Sequence, residues 1–343
     1  MILPVGFLRL RTKDRQESES RKKVGAEMKG ERQQQNGLRS REERPLMYNE
    51  GANTGQEHKA AFLILREGRE ERTVPPADRR LPAGPCLIRS ETWLLAPKLA
   101  ELYASWLFAE EEPLAERLLQ RMYYRLRAEA SALLESPDGD WAAVTVLFTP
   151  ELAARRSRLA ALQDAQLEAL FTALAERQRR GGDCRLDLLA PYPASAAEFA
   201  AMREFIETVA EQTLGHAYAA ACRIGALIAP ETQQAAAGEI ARIADFLVLD
   251  GAAGGAAPES AAAEGFARST SLALAAVRRV KPAAVVFAAG PSAAKALADL
   301  YRIGCSGVFC SAAQRTEALL RAASLTWDAR AEQHLPCPRG FRR

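Results

Sequence analysis

The chain has 343 residues, 48% of them hydrophobic, and a formal net charge of +3 at pH 7. This length suits one large barrel with an extension or two smaller domains, and the apolar fraction is ample for a large core. No run of about 18 apolar residues occurs, so no membrane span is expected, and the small net charge implies little about partners.

The first 80 residues differ in composition from the rest of the chain. They hold 18 Lys and Arg against 13 Asp and Glu, whereas residues 81–343 hold 28 against 30. Because large apolar residues are few, we predict residues 1–80 to be a basic, mostly disordered extension and linker, with a short apolar run at Ala60–Leu65. The charges are not interleaved with aromatic residues that would stack on bases, so nucleic acid is not an expected partner.

The six cysteines have no CxxC spacing. In a chain of this size we interpret them as reduced thiols of a cytoplasmic protein, and zinc is not expected. The apolar stretch at Ile2–Leu10 is interrupted by Arg9 and lacks a small-residue cleavage site, which argues against a signal peptide.

From Cys86 onward, short apolar runs alternate with helical patterns. The predicted strands are Cys86–Glu91, Trp141–Phe148, Cys184–Tyr192, Cys222–Ile228, Phe246–Leu249, Ala283–Phe287 and Gly304–Ser311. The predicted helices are two within Glu101–Leu134, separated at Pro113, then Ala153–Arg179, Ala196–Leu214, Gln233–Ile243, Ser269–Arg279, Ala293–Arg302 and Thr316–Leu325. Strand, crossover helix and strand imply a parallel sheet.

Several phrases resemble one family, the phosphoenolpyruvate-utilising enzymes, which include pyruvate phosphate dikinase and enzyme I of the sugar phosphotransferase system. Gly225-Ala-Leu-Ile228 is similar to that family's fifth barrel strand, G-x-M-I-E-x-P, and Asp245-Phe-Leu-Val-Leu249 to its sixth, D-F-F-S-I-G-T-N-D-L. Cys86-Leu-Ile-Arg-Ser-Glu91 resembles G-L-L-R-T-E at the end of the first strand. The resemblance implies a TIM-type (β/α)8 barrel of the phosphoenolpyruvate/pyruvate class at residues 81–325, followed by a loose tail at 326–343; the third strand is not visible.

The resemblance also implies substrate-binding residues. Arg89 matches the family's Arg that contacts the phosphate, and Glu91 matches its Glu. Arg155 and Arg158 take the place of a pair in W-R-x-I-R, with a shorter spacing to Gln166. For Arg89 and Glu91, the structural alternative is an Arg–Glu pair that caps a strand. For Arg155 and Arg158, it is an exposed basic helix face.

The departures from the family concern its catalytic set. The metal-binding Glu falls on Ala229, the Asn-Asp pair on about Ala252-Ala253, and a second phosphate-binding Arg on about Leu147. Where the family has the Cys acid of C-G-E-x-x-G-D, this chain reads Ala288-Ala-Gly-Pro-Ser292. We therefore predict a degenerate site with no catalytic residue and no cofactor.

Three hypotheses follow. The first is a non-catalytic or regulatory relative that binds phosphoenolpyruvate, pyruvate or another small carboxylate weakly through Arg89, or acts through a homodimer or protein partner. The second is an active enzyme of the class, a phosphotransferase or lyase, with a displaced Mg²⁺ site formed by Glu231 and Asp250, unless these carboxylates cap a helix or turn. The third is an unrelated α/β barrel with a chance likeness.

Overall fold

The computed structural model describes residues 62–68, 86–135, 141–182, 184–251 and 259–334. Three parts of the prediction lie outside these residues. They are the disorder of residues 1–61 and 69–80, the positions of Ala252 and Ala253, and the last part of the predicted tail, 335–343.

Eight parallel strands form a closed barrel, in which each strand pairs with its neighbours in the chain and β8 pairs with β1. The strands are β1 (Leu63–Glu67), β2 (Cys86–Ile88), β3 (Trp141–Thr145), β4 (Arg185–Pro191), β5 (Cys222–Ile228), β6 (Leu247–Asp250), β7 (Val286–Ala289) and β8 (Gly307–Cys310). The predicted (β/α)8 barrel is confirmed.

Helices connect the strands on the outside of the barrel. They are α1 (Pro97–Leu107), α2 (Glu112–Leu134), α3 (Pro150–Ala153), α4 (Arg156–Arg179), α5 (Ala196–Leu214), α6 (Tyr218–Ala221), α7 (Gln234–Ile243), α8 (Glu259–Val280), α9 (Pro291–Lys295), α10 (Leu297–Ile303) and α11 (Ala312–His334). Within the described ranges, none of these helices combines the length and apolar character needed to cross a membrane.

Local signals place several helix starts. Pro97 and Pro113 lie in the first turns of α1 and α2. Backbone N–H groups in the first turn of a helix have no intrahelical acceptor, so proline loses no hydrogen bond there. The Ser195 side chain accepts a hydrogen bond from the Glu198 N–H at the start of α5. Ser195 therefore forms the serine half of a capping box.

The barrel begins earlier than predicted. Leu63–Glu67, which falls in the predicted extension, pairs with both β2 and β8. Cys86–Ile88 is consequently the second strand and Trp141–Thr145 the third, so both assignments move by one position. No strand is missing between Trp141–Thr145 and Arg185–Pro191, because those two strands pair directly.

The chain also ends differently from the prediction. The last helix extends from Ala312 to His334, so the predicted loose tail is wrong for residues 326–334. Helix α8 likewise begins at Glu259 rather than at Ser269.

The barrel interior is filled by apolar side chains that alternate along the strands. One buried cluster contains residues from all eight strands: Leu65, Leu87, Ala143, Leu189, Leu227, Phe246, Val248, Phe287, Ala289 and Phe309, with Phe246 lying directly before β6. The Phe287 and Phe309 rings pack edge to face, with their centroids 5.4 Å apart. This cluster fills the inside of the barrel and leaves the strand ends to polar residues.

Closure of the barrel between β1 and β8 depends on Gly307. A Cβ at this position would lie 2.3 Å from the carbonyl oxygen of Leu63 and 2.9 Å from the Leu63 Cβ. The two strands therefore approach each other at a distance that only glycine allows.

We expect Gly307→Ala to lower the free energy of unfolding by about 1–3 kcal/mol, because the added methyl group must push β1 away from β8. Urea unfolding of the two proteins measures the difference. Gly265→Ala is the matched control, since no atom lies within 4 Å of its added Cβ in the exposed middle of α8; it is expected to stabilise the protein by about 0.5–1 kcal/mol. Equal midpoints for the two variants would contradict the close approach.

Candidate functional site

Four polar side chains lie inside the barrel at the carboxyl ends of its strands. Glu67, Arg89, Thr145 and Asp250 each follow a residue of the interior cluster by two positions, so each points to the same side of its strand. In (β/α)8 barrels this end carries the functional site. We call these four residues and Tyr192 the mouth cluster.

Arg89 is the centre of the mouth cluster. Its Nη1 and Nη2 atoms donate to Oδ2 and Oδ1 of Asp250, both at 2.8 Å, and its Nε donates to Oε1 of Glu67 at 2.5 Å. Asp250 is fully buried, whereas the side chains of Arg89 and Glu67 are 19% and 18% exposed. Because β2 and β6 are four strands apart in a closed barrel of eight, the Arg89–Asp250 pair spans the mouth.

The partners of Arg89 stabilise its charge. Burial by itself lowers the pKa of Arg89, but the hydrogen bond to Asp250 and the charges of Glu67 and Asp250 more than offset this and raise the pKa above its ordinary value. The guanidinium is therefore a permanent cation with two carboxylates in contact. A bidentate Arg–carboxylate pair of this kind also fixes the orientation of both groups.

Tyr192 lies directly after β4 and completes the cluster. Its hydroxyl donates to Oδ2 of Asp250 at 2.5 Å. Burial and this hydrogen bond raise the pKa of Tyr192, so the phenol stays protonated at neutral pH and acts as a donor, not as a base. Its φ of 46° is the one positive value at a non-glycine residue in the described ranges, and strain of this kind is concentrated at functional sites.

A backbone group holds the carboxylate of Glu67. The N–H of Gly290, directly after β7, donates to Oε2 of Glu67 at 3.0 Å. Gly290 has a φ of 89°, a conformation that glycine adopts without strain. Glu67 is thus held between a backbone donor on one side of the mouth and Arg89 on the other.

Glu91 and Thr145 form a separate contact. The Thr145 hydroxyl donates to Oε2 of Glu91 at 2.8 Å and accepts from the backbone N–H of Ser90 at 2.9 Å. These bonds attach the short 3-10 helix Ser90–Leu95 to the end of β3. Glu91 is therefore placed near the mouth, but its described hydrogen bond goes to Thr145 and not to Arg89.

Arg155 and Arg158, the other predicted anion-binding residues, contact the connection between α1 and α2. Arg155 donates to the carbonyl of Leu107 and Arg158 to that of Ala109, the latter at 2.9 Å. Their guanidinium groups lie 5.1 Å and 5.3 Å from the ring centres of Phe108 and Trp106, respectively. Among the described residues, neither side chain has a hydrogen bond that connects it with Arg89.

Two buried glutamines of α4 position the end of β3. Gln166 donates to the carbonyl of Thr145 at 3.0 Å and accepts from the N–H of Leu147 at 2.7 Å. Gln163 donates to the carbonyl of Leu147 at 2.9 Å. These bonds satisfy backbone groups of Thr145 and Leu147, where the chain leaves the sheet. Gln163 and Gln166 therefore have a structural role.

The two predicted metal ligands differ in environment. Glu231 is exposed in the turn after β5, whereas Asp250 is buried and bound to Arg89 and Tyr192. Over the described ranges, no three or more His, Cys, Asp or Glu side chains are grouped so that they could hold a metal ion. The residues present at the mouth therefore do not form the oxygen cage that Mg²⁺ requires.

The cysteines of the described ranges are all buried, and within those ranges none of them forms a disulfide. Burial raises the pKa of Cys305 to about 12 and that of Cys310 to about 11. Cys310 lies at the end of β8, and its thiol donates to the carbonyl of Leu65. The side chain of β8 that faces the barrel interior there is that of the neighbouring Phe309. These thiols therefore remain protonated at neutral pH.

A small cavity opens beside the mouth cluster. It has a volume of ≈ 260 Å³ and is lined by Glu67, Gly68, Ile88, Arg89, Thr92 and Trp93. This volume is just below the roughly 300–1,000 Å³ that is usual for ligand pockets, so it suits a small metabolite.

Comparison with protein-family models finds no match, and a search of curated proteins likewise finds none. The relationship to phosphoenolpyruvate-utilising enzymes therefore stays a prediction that rests on short phrases of sequence.

Sequence reasoning identified Arg89 and Asp250 but placed them in different hypotheses, and it missed Glu67 and Tyr192. Glu67 ends the apolar run that becomes β1, in the same way that Arg89 ends β2. Had that run been assigned to the barrel, the position of Glu67 at a strand end would have marked it as a site residue.

Proposed function

We propose that the protein is a non-catalytic relative of the phosphoenolpyruvate-utilising barrels that binds a small ligand at the barrel mouth and acts as a regulatory or interaction protein. The observation that supports this proposal is the engagement of Arg89 by Asp250 and Glu67. The cation that the family resemblance assigns to a phosphate is already neutralised by the protein.

The charge balance of the mouth disfavours a phosphoenolpyruvate trianion. Among the described residues, Glu67, Glu91 and Asp250 bring three carboxyl groups to the strand ends, and two of them are hydrogen-bonded to the guanidinium of Arg89. Transfer of a phosphoryl group requires several cations or metal ions around the developing negative charge. In the described part of the mouth, Arg89 is paired with carboxylates and no metal cage is formed, so these residues do not supply that electrostatic stabilisation.

Isothermal titration of the full chain with phosphoenolpyruvate and with oxalate, each with and without Mg²⁺, tests the proposal. We expect no heat that depends on Mg²⁺ and no turnover of phosphoenolpyruvate, because the described residues of the mouth form no ligand set for the metal. Weak binding of oxalate that is lost in Arg89→Ala and kept in Arg302→Ala would fit the proposal, since Arg302 is an exposed cation elsewhere. Binding or turnover that needs Mg²⁺ would contradict it and support an active enzyme with a displaced metal site.

A further inference from the structure

Trp93 brings a hydrogen-bond donor to the cavity beside the mouth cluster. It is 7% exposed and lines this cavity together with Glu67 and Arg89. Its indole N–H has no acceptor among the described residues, and unlike the N–H of Trp106 it is not fully enclosed by protein atoms. Because a buried indole N–H usually has a hydrogen-bond partner, an oxygen atom of a ligand in the cavity is the acceptor that this group lacks.

Glu67 supplies an acceptor on the same wall. Its two carboxylate oxygens offer about four lone-pair sites, and the described contacts are one donor on Oε1, from Arg89, and one on Oε2, from Gly290. The side chain is 18% exposed. The carboxylate therefore keeps the capacity to accept a further hydrogen bond from a ligand in the cavity.

The charges of the mouth cluster favour a cation as the ligand. The cluster contains two carboxylates and one guanidinium. Arg89 and Asp250 form a bidentate pair that is neutral as a unit, and Glu67 adds one further negative charge. A positively charged ligand compensates this charge, and in a partly buried site the attraction is stronger than it would be in water.

We infer that the cavity beside the mouth cluster binds a small amino alcohol, with its ammonium group donating to Glu67 and a hydroxyl oxygen accepting from the N–H of Trp93. A simple alkylammonium ion offers no lone pair to Trp93, and a neutral polyol does not compensate the charge of Glu67. The ≈ 260 Å³ volume and the buried Ile88 on the wall suit a ligand with a short carbon chain. The inference rests on the proposed function in that it names the ligand class of the same mouth.

Four probes with the same carbon chain length separate these requirements. Protonated 3-amino-1,2-propanediol has the ammonium group and hydroxyls, propylammonium has only the ammonium group, glycerol has only hydroxyls, and glycerate has a carboxylate in place of the ammonium group. We expect saturation-transfer NMR with the full chain to show the amino alcohol binding about tenfold tighter than glycerol or glycerate and several-fold tighter than propylammonium, because a hydrogen bond to a charged group contributes more than a neutral one. Equal binding of glycerol or propylammonium, or no binding of the amino alcohol at millimolar concentration, would overturn the inference.

Glu67→Gln tests the charge that attracts the ammonium group. The amide keeps the size of the side chain and loses its charge, so we expect binding of the amino alcohol to weaken about tenfold while glycerol binding changes little. Glu101→Gln makes the same chemical change at an exposed position of α1 and is expected to bind the amino alcohol like the parent protein. Unchanged binding of the amino alcohol in Glu67→Gln would overturn the assignment.

Trp93→Phe tests the donor that binds the hydroxyl oxygen. Phenylalanine keeps an aromatic ring and loses the N–H, so we expect the amino alcohol to bind as weakly as propylammonium, while binding of propylammonium itself stays close to that of the parent protein. Trp327→Phe is the matched control, since this side chain is 75% exposed on α11. Weakening of both probes by the same factor in Trp93→Phe would overturn the assigned hydrogen bond.

These outcomes are distinguishable from failure of the proposed function. Turnover of phosphoenolpyruvate with Mg²⁺ would refute the non-catalytic proposal whatever the amino alcohol result. Absence of selectivity for the amino alcohol without such turnover would refute only the ligand assignment. If either variant fails to fold, the comparison of the four probes on the parent protein decides the inference by itself.

Discussion

Replacing Asp187 with alanine is expected to lower the free energy of unfolding by about 3–5 kcal/mol. Asp187 is 1% exposed inside the amino end of the barrel. It accepts hydrogen bonds from Nε and Nη2 of Arg223 and from Nε1 of Trp141. Removing the carboxylate takes from a mostly buried guanidinium the two hydrogen bonds and the opposite charge that Asp187 gives it.

The surroundings of Arg223 make relief of that charge difficult. Its guanidinium lies 5.2 Å from the ring centre of Trp141 and 5.1 Å from that of Phe246. The aromatic rings fix the side chain in place and restrict its access to water. We therefore expect the large effect that is typical of a broken buried ion pair, and not the small effect of a surface pair.

Urea unfolding followed by circular dichroism measures this effect. Asp299→Ala is the matched control, because Asp299 forms a 3.0 Å pair with Arg302 in which both side chains are more than half exposed. Its loss is expected to change stability by less than about 1 kcal/mol. A cost for Asp187→Ala within the range of the control would show that Asp187 does not compensate Arg223.

Replacing Asp250 with alanine is expected to cost about 3 kcal/mol, at the lower end for a broken buried pair. Asp250 is fully buried and gives Arg89 two of its three described hydrogen bonds. The effect is smaller than for Asp187, because Arg89 keeps Glu67 and its side chain is 19% exposed.

A double variant separates the charge from the packing. Adding Arg89→Met to Asp250→Ala removes the guanidinium that has lost one of its two carboxylate partners and keeps most of the side-chain volume, so we expect the double variant to be more stable than Asp250→Ala alone. Urea titration of the parent protein, the two single variants and the double variant gives the coupling energy. A double variant less stable than Asp250→Ala would mean that Arg89 stabilises the mouth independently of Asp250.

The two ion pairs at opposite ends of the barrel show which parts of the site were accessible to sequence reasoning. Asp187 and Arg223 are register partners on adjacent strands, β4 and β5. Arg89 and Asp250 are 161 residues apart in the chain and meet only because β2 and β6 face each other across the closed barrel. No local pattern distinguishes such a pair from two unrelated strand-end residues.

Arg155 and Arg158 illustrate a different limit of sequence reasoning. The family resemblance predicted an anion-binding pair, and in the structure the two side chains bind the carbonyl groups of Leu107 and Ala109 and stack on Phe108 and Trp106. An arginine side chain is long enough to serve a neighbouring loop, and only the packing of the helices decides which acceptors are within reach.

The amino-acid sequence by itself determined the barrel, because apolar strands, amphipathic helices and their caps are encoded within short stretches of chain. It also located Arg89 and Asp250 at strand ends. The tertiary structure decided that Leu63–Glu67 is the first strand, because that assignment depends on pairing with β8 near the other end of the chain. It likewise decided that Glu67, Arg89, Tyr192 and Asp250 form one cluster, since barrel closure alone brings the ends of β1, β2, β4 and β6 together.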